Sequence, residues 1–425
     1  MVPRQTSRDL RNESRFEVLR ALFELGPSTR QEIARHTRLS TATVATLVTE
    51  FLSEGVLRIA ALERRTVGRP YERLAIDPER GRIVGVDVAE TYVAATLFDI
   101  ALTPISHGEV TLDEHENSQA YVVDGIVRAV EAAVGTGAGE AAVGTGAGEV
   151  DRILGVGVSM PGQVSPGAGV SVFAPNWDWH EVKIEELLAQ GLRIPVYVDN
   201  PLKAVALSEM WFGVGRIADS MAVVNLGTGV GAGIAIDGAL IRGANNNAGE
   251  WGHTLLQLDG RECRCGRRGC VEAYLGVQGI ETSLAEIDKD HPALQQPLQR
   301  DFIEAVATGL AAGDPVLAEL ARRTAHYLAA ALGDLVTLLD IPYITLTGWT
   351  STALAEWLVP AVRAELPDHV LPGSLPDLTV EVSRVPGNPV ALGMAAFALE
   401  HFLGQLGLPS PASAPIARRR TRPQS

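Results

Sequence analysis

The sequence predicts an α/β body preceded by a small winged helix-turn-helix head. Strand-like runs such as RIVGVDVA, ILGVGVS and YITLTG alternate with helical stretches over residues 81–404, and two short helical patterns with a pair of alternating strands precede them. Charge reverses between the two parts. Residues 1–80 hold 14 Lys/Arg against 11 Asp/Glu and the remainder 22 against 40, so a head of +3 precedes a body of -18. A chain of 425 residues, 46% apolar, can build two or three compact units. That excludes a peptide module or a disulfide-stapled miniprotein, and a net charge of -15 excludes a surface coated throughout with nucleic acid. MVPRQTSRDL carries no apolar signal core, and no run of about 18 residues is both apolar and free of Gly, Pro and charge. A cytoplasmic protein with no membrane partner is expected.

In the head, Phe16, Leu19, Leu22 and Phe23 fall at helical spacing over residues 13–25, and Gly26-Pro27 stops that helix. Ser28 or Thr29 can cap a short helix carrying Ile33 and Ala34, and Ser40 a second whose inner face is Val44, Leu47, Val48 and Phe51. The opposite face presents Thr41, Ala42, Thr43 and Thr46, short groups that can approach base edges and phosphates of double-stranded operator DNA. After Gly55, residues 56–60 and 71–76 alternate as strands around a wing containing Arg64, Arg65 and Arg69. The competing reading is a small helical domain whose arginines solvate a turn.

The body follows Pro78. Strands are expected at RIVGVDVA and YVAATLFDI and a helix at 121–134; AAVGTGAGE then occurs twice, at 132–140 and 141–149, and reads as a flexible surface insertion. ILGVGVSMPG and RIPVYVDN are further strands, residues 201–212 a helix, and MAVVNLGTGVGAGIAIDG a glycine-rich hairpin. Residues 302–339 are mostly helical, YITLTGWT is a late strand and PVALGMAAFALEHFLG a closing helix. The tail, 405–425, is rich in Pro, Ser and Arg and reads as disordered. Domains are therefore expected at 1–80, at 81–200 completed by a helix near 389–404, and at 201–388.

The chemistry concentrates in GEWGHTLLQLDGRECRCGRRGCVE. All three cysteines of the chain, Cys263, Cys265 and Cys270, lie here with His253. One imidazole and three thiolates suit a closed, tetrahedral, structural Zn2+ site, which would brace the fold and leave no position for activating water. Three buried free thiols are the alternative. Glu250 and Glu272 flank this loop, Asn176 lies in FAPNWDW, and Asn200 ends a strand; carboxylates, amides and imidazole can read sugar hydroxyls through paired donors and acceptors.

GEWGH followed by CRCGRRGCVE resembles the sugar and zinc signature of the ROK family of repressors, open reading frames and sugar kinases, and the resemblance extends over residues 11–404. The winged head with VGRP resembles the transcriptional-regulator branch, of the xylose- and N-acetylglucosamine-repressor type. The resemblance implies a two-lobed actin-like ATPase (sugar kinase) fold and a homodimer or homotetramer. It also implies sugar contacts at Asn176, Asn200, Glu250, His253 and Glu272, with His253 binding zinc as well. The chain departs from the family's kinases. Where they carry a DxGGT-like phosphate loop it has Asp87-Val88-Ala89-Glu90-Thr91, and in a motif like ENDANAAALAE Pro201 replaces the aspartate base. LGTGVGAGI survives at 226–234, whereas a later GG is Gly348-Trp349. These departures argue against ATP as a ligand and imply a sugar-responsive, catalytically inactive regulator, a repressor by type. A bifunctional sugar kinase and regulator, or a DNA-binding regulator with no effector, are the alternatives.

Overall fold

The computed structural model describes residues 7–63, 71–113, 115–137, 153–175 and 177–405. The backbone divides into two compact units, Met1–Phe212 with Gly387–Ser425, and Gly213–Pro386.

The first unit opens with helices α1 (Ser7–Leu25), α2 (Arg30–Thr37) and α3 (Thr41–Ser53), then the antiparallel pair β1 (Leu57–Glu63) and β2 (Tyr71–Ile76). Helix α1 begins six residues before the expected start. Thr29 caps α2: its hydroxyl accepts from the Glu32 N–H while the Glu32 carboxylate accepts from the Thr29 N–H. Ser28, the other candidate cap, instead pairs with β2, exchanging both backbone hydrogen bonds with Leu74 at 2.9 and 2.8 Å. Ile33, Ala34, Val44, Leu47, Val48 and Phe51 are all buried, as their spacing required. Arg15 lies over the Phe51 ring and holds both Glu54 oxygens at 2.8 Å, tying α1 to the end of α3.

Next come β3 (Arg82–Val88), β4 (Tyr92–Asp99), β5 (Pro104–Thr111), α4 (Gln119–Gly137), β6 (Ile153–Ser159), β7 (Gln163–Ser165), β8 (Val170–Ala174), β9 (Trp179–Val182), α5 (Ile184–Leu192), β10 (Val196–Asp199) and α6 (Pro201–Phe212). One sheet has the order β10-β6-β3-β4-β5, with β3, β4 and β5 antiparallel and β3, β6 and β10 parallel; β7, β8 and β9 form a small sheet of their own. Edge strand β5 escapes a sequence reading because PISHGEVT is mostly exposed and lacks apolar alternation. The first AAVGTGAGE copy is not wholly an insertion: α4 continues to Gly137, and Ala133 is buried. The second copy lies outside the described residues, as do residues 406–425.

The second unit contains β11 (Met221–Leu226), β12 (Val230–Ile236), β13 (Ala239–Leu240), α7 (Glu272–Leu275), α8 (Val277–Ile287), α9 (Gln299–Ala311), α10 (Pro315–Leu339), β14 (Tyr343–Thr347), α11 (Trp349–Ala353), α12 (Ala355–Glu365) and β15 (Thr379–Val382). Its sheet order, β13-β12-β11-β14-β15, repeats the first: an antiparallel meander followed by two parallel additions. The chain then returns to the first unit as α13 (Pro389–Gln405), which lies on β3 and β6 and against α6. A methyl group on Gly393 would sit 1.8 Å from the Ala204 carbonyl oxygen, so the α6 and α13 backbones meet where only hydrogen fits. This contact explains why α6 groups with the first unit and not, as a boundary at residue 200 implied, with the second. Among the described residues, no helix is long and apolar enough to cross a membrane.

Candidate metal and ligand site

The strongest constellation forms within the second unit. Residues 254–270 fold back on themselves through the bridges Leu255–Cys270 and Glu262–Arg268, and the Cys263 N–H donates to the Arg267 carbonyl at 2.9 Å. This turn sets Cys263 Sγ 3.7 Å from His253 Nδ1 and Cys265 Sγ 3.7 Å from Cys270 Sγ, and all four donor atoms lie within 4.8 Å of one another. A tetrahedral ion bound at roughly 2.3 Å to sulfur and 2.1 Å to nitrogen has edges of about 3.8 and 3.6 Å, so the donor set fits and could hold a metal ion. Burial pushes the Cys263 thiol well above its ordinary value, with the Glu272 carboxylate adding to the effect; burial likewise raises Cys270. Burial also works to raise Cys265, but hydrogen bonds from Arg267 and from the other two thiols outweigh it and leave that thiol lowered.

The sequence reading did not single out Arg261, yet it fastens this loop. Its guanidinium donates to the Gly279 carbonyl at 2.9 Å, to Ser283 Oγ at 3.1 Å and to Glu286 at 2.8 Å, and it stacks 4.7 Å from the Tyr274 ring centroid. One arginine among four in the loop carries no sequence signal of this role; its partners lie on α7 and α8, up to 25 residues away.

GEWGH is anchored at its centre. Trp251 is buried in the unit's core and its indole N–H donates to the Ala331 carbonyl of α10 at 3.2 Å. A methyl on Gly252 would stand 1.9 Å from the Val230 carbonyl, so this turn lies directly on the start of β12. Glu250 and His253 flank that fixed pair, both half-buried. Glu272, at the start of α7, accepts the Val230 N–H at 3.0 Å through one oxygen and places the other 3.7 Å from Cys263 Sγ. It therefore straps the glycine-rich hairpin to the cysteine loop. At the hairpin's turn, the Trp349 indole nitrogen lies 3.2 Å from where a Gly227 side chain would begin. The indole occupies the space beside that turn.

In the first unit, Asn200 caps α6. Its Oδ1 accepts the Leu202 N–H at 2.8 Å and its Nδ2 donates to the Gly162 carbonyl at 2.6 Å, leaving the side chain largely engaged and buried. Pro201 follows as the first helical residue, where a missing N–H costs nothing. Asp199 is 1% exposed and accepts the Asn200 N–H at 2.8 Å. Asn176 lies outside the described residues; its neighbours Trp177 and Trp179 are buried with ring centroids 4.8 Å apart. Glu250, His253 and Glu272 thus share one unit, while Asn200 belongs to the other.

On the head, Ser40, Thr41, Ala42 and Thr46 are exposed and Thr43 is half-buried. Ala42 and Thr46 lie on the face of α3 away from the core, whereas Thr41, expected there too, shares the helical stripe of the buried Val44 and Val48 and is exposed because it opens the helix. Ser40 Oγ caps the helix by accepting the Thr43 N–H at 3.0 Å, and the Thr46 hydroxyl donates to the Ala42 carbonyl at 3.1 Å. Arg64, Arg65 and Arg69 lie outside the described residues.

Comparison with known proteins agrees with this architecture. The sequence profile of the ROK family matches residues 83–401. The chain is 26% identical to a xylose repressor of Caldicellulosiruptor bescii, over 93% of its own length and 97% of the repressor's. It is 30% identical to a glucokinase of Thermotoga maritima, over 59% of its length and 80% of the kinase's. A solved ROK family transcriptional regulator, described as a homologue of the Escherichia coli MLC protein, aligns with a TM-score of 0.76 at 22% identity, covering 94% of this chain and 99% of that one. The fold is the actin-like α/β fold of sugar kinases with an N-terminal winged helix-turn-helix. Its matching sheet topologies, glycine-rich hairpin and histidine–cysteine loop all fall within the matched residues, and the chain belongs to the ROK family.

Proposed function

We propose that the chain is a sugar-responsive repressor, which binds operator DNA through its winged head and recognises a small sugar or sugar phosphate in a kinase-derived body that does not phosphorylate it. The observation that carries the non-catalytic part is the start of α6. Pro201 stands where the family's kinases place their base and has no group to accept a proton. Asp199 does not substitute, being 1% exposed and turned back onto the Asn200 N–H. Two further features support the same reading: Glu90 adds a negative charge to the turn between β3 and β4, and the Trp349 indole fills space beside Gly227.

Ligand recognition is assigned to Asn176, Asn200, Glu250, His253 and Glu272. Asn200 enters with most of its amide already used, so the acidic residues of the second unit carry most of the polar recognition. Zn2+ is the ion assigned to His253, Cys263, Cys265 and Cys270; it supplies a cross-link and no open coordination position. Around it, Glu272 transmits the position of the cysteine loop to the glycine-rich hairpin, and Arg261 fixes the loop on α7 and α8. DNA contact is assigned to Ser40, Thr41, Ala42, Thr43 and Thr46 on α3 and to Arg64, Arg65 and Arg69 of the wing. A homodimer or homotetramer in the cytoplasm, pairing two heads on two half-sites, completes the reading.

The test is a fixed-salt titration of the protein against DNA upstream of its own gene, with a panel of free and phosphorylated sugars. Saturable binding shifted by one sugar is expected. Specific binding unchanged across the panel would overturn the sensing role and favour a regulator without an effector. The kinase reading is favoured by the intact hairpin of β11 and β12 and by the 30% identity to a glucokinase. ATP-dependent phosphorylation of any panel sugar would establish it and overturn the non-catalytic assignment.

A further inference from the structure

We propose that His326, Glu365 and His369 form a second metal site on the surface of the second unit, for a divalent transition ion of the zinc class. His326 projects from the middle of α10, Glu365 is the last residue of α12, and His369 follows the single helical turn that extends α12. One donor atom from each lies within 4.8 Å of the other two. His326 Nδ1 and Glu365 Oε2 are 2.8 Å apart, and the two imidazole rings face each other edge-on with centroids 5.7 Å apart. A histidine–carboxylate hydrogen bond accounts for two of these residues. It does not account for a second imidazole with a donor nitrogen within 4.8 Å of both.

The scaffold holds His369 in place. Leu366 and Val370, on either side of it, are buried in the core that also contains Leu332 and Val336 of α10. Two turns along α10 from His326, Gly333 carries no side chain, and a methyl there would stand 2.6 Å from the His369 carbonyl oxygen. Gly333 thus admits the His369 backbone against α10 and brings its ring beside His326. Tetrahedral donor edges near 3.3 Å for nitrogen and oxygen ligands require only side-chain rotation from the present spacing. Two imidazoles with one carboxylate favour zinc, cobalt, nickel or copper over magnesium or calcium. The His326 side chain is 54% exposed, so water can complete the shell. The site differs in kind from the cysteine loop, having no sulfur donor.

That difference gives the test. Full-length protein is titrated with Co2+, following bound metal by equilibrium dialysis and absorption. The wild type is expected to bind two ions per chain, one with intense near-ultraviolet thiolate charge transfer and one with weak visible bands alone. His369→Ala leaves the His326–Glu365 hydrogen bond in place and should weaken the second ion about tenfold or more without changing the thiolate band. His326→Ala should do the same, and the unchanged thiolate band certifies that the unit is folded. A wild type that binds no ion beyond the one showing the thiolate band, or an ion without that band held equally well by both variants, would overturn the assignment.

Discussion

Replacing Gly393 with alanine sets two effects of opposite sign against each other. Alanine is favoured over glycine in a helix interior by about 1 kcal/mol. Against this, the new methyl would stand 1.8 Å from the Ala204 carbonyl oxygen and 2.3 Å from its carbon, where ordinary contact begins at 3.4 Å. Helices α6 and α13 would have to part by about 1.6 Å, and a gap of half that size already forfeits a quarter to a half of the dispersion energy across a contact. The obstacle is backbone, so no side chain can swing aside, and the neighbouring Val205, Leu207, Leu392 and Ala396 are buried and would lose contact together. Overpacking of this kind costs about 1–3 kcal/mol or more, and the close backbone clash places it at the upper end, leaving a net loss of about 2–3 kcal/mol. Gly404, on the same helix, has no atom within 4 Å of a would-be methyl, so Gly404→Ala carries the propensity effect alone. In calorimetry of the full chain the first unit of Gly393→Ala should melt about 4–12 °C below wild type, with Gly404→Ala level or slightly above. Amide exchange should locate the loss in α6 and α13. A Gly393→Ala protein that melts with or above wild type would refute the close crossing of the two helices.

The other expectations concern the head, the metal loop and a buried carboxylate. Thr41→Glu puts a carboxylate at the N-terminus of α3, where the helix dipole tolerates it and DNA phosphate does not; operator affinity should fall about tenfold or more at an unchanged Tm, and equal affinity would remove α3 from the DNA interface. If His253 and the three cysteines hold a metal, a chelator, like Cys265→Ser, should strip amide-exchange protection from residues 254–272 and then from the Val230 end of the hairpin, with α4 unaffected; an unchanged exchange pattern would show that the loop's own hydrogen bonds suffice. Burial pushes Asp87 above the ordinary carboxylate range, although Tyr92 at 3.0 Å and Asn388 at 2.9 Å donate to it. Because the folded state then holds the proton more tightly than the unfolded, its contribution is complete below about pH 4 and is lost as pH rises through the folded value. Asp87→Asn keeps an acceptor for both donors, so its Tm should gain on the wild type from pH 4 upward; parallel Tm profiles would contradict this.

Most of the architecture was legible because it is written in local pattern. Val44, Leu47, Val48 and Phe51 at helical spacing gave α3, the buried runs of β3, β6 and β14 gave interior strands of the sheets, and the clustering of Cys263, Cys265 and Cys270 near His253 gave a donor set that the fold brings within 4.8 Å and that could hold a metal ion. Elements without such pattern escaped: β5 is a polar edge strand, and β7, β8 and β9 are three to five residues long in a segment broken by proline and glycine. Thr29 and Ser28 were indistinguishable as caps, since what separates them is the pairing of Ser28 with Leu74, 46 residues away.

The sequence by itself determined the chemistry on offer: which thiols, carboxylates and amides exist, that residue 201 is a proline with no titratable group, and that the head is basic while the body is acidic. Tertiary structure decided how those groups are used. It spent the Asn200 amide on capping α6, joined Glu272 to both the glycine-rich hairpin and the cysteine loop, made Arg261 the fastening of that loop, and brought His369 beside His326 across 43 residues. Helix and strand periodicity arises between near neighbours and is visible along the chain, whereas a hydrogen bond or a ligand set between distant residues exists only once packing has fixed their distance and orientation.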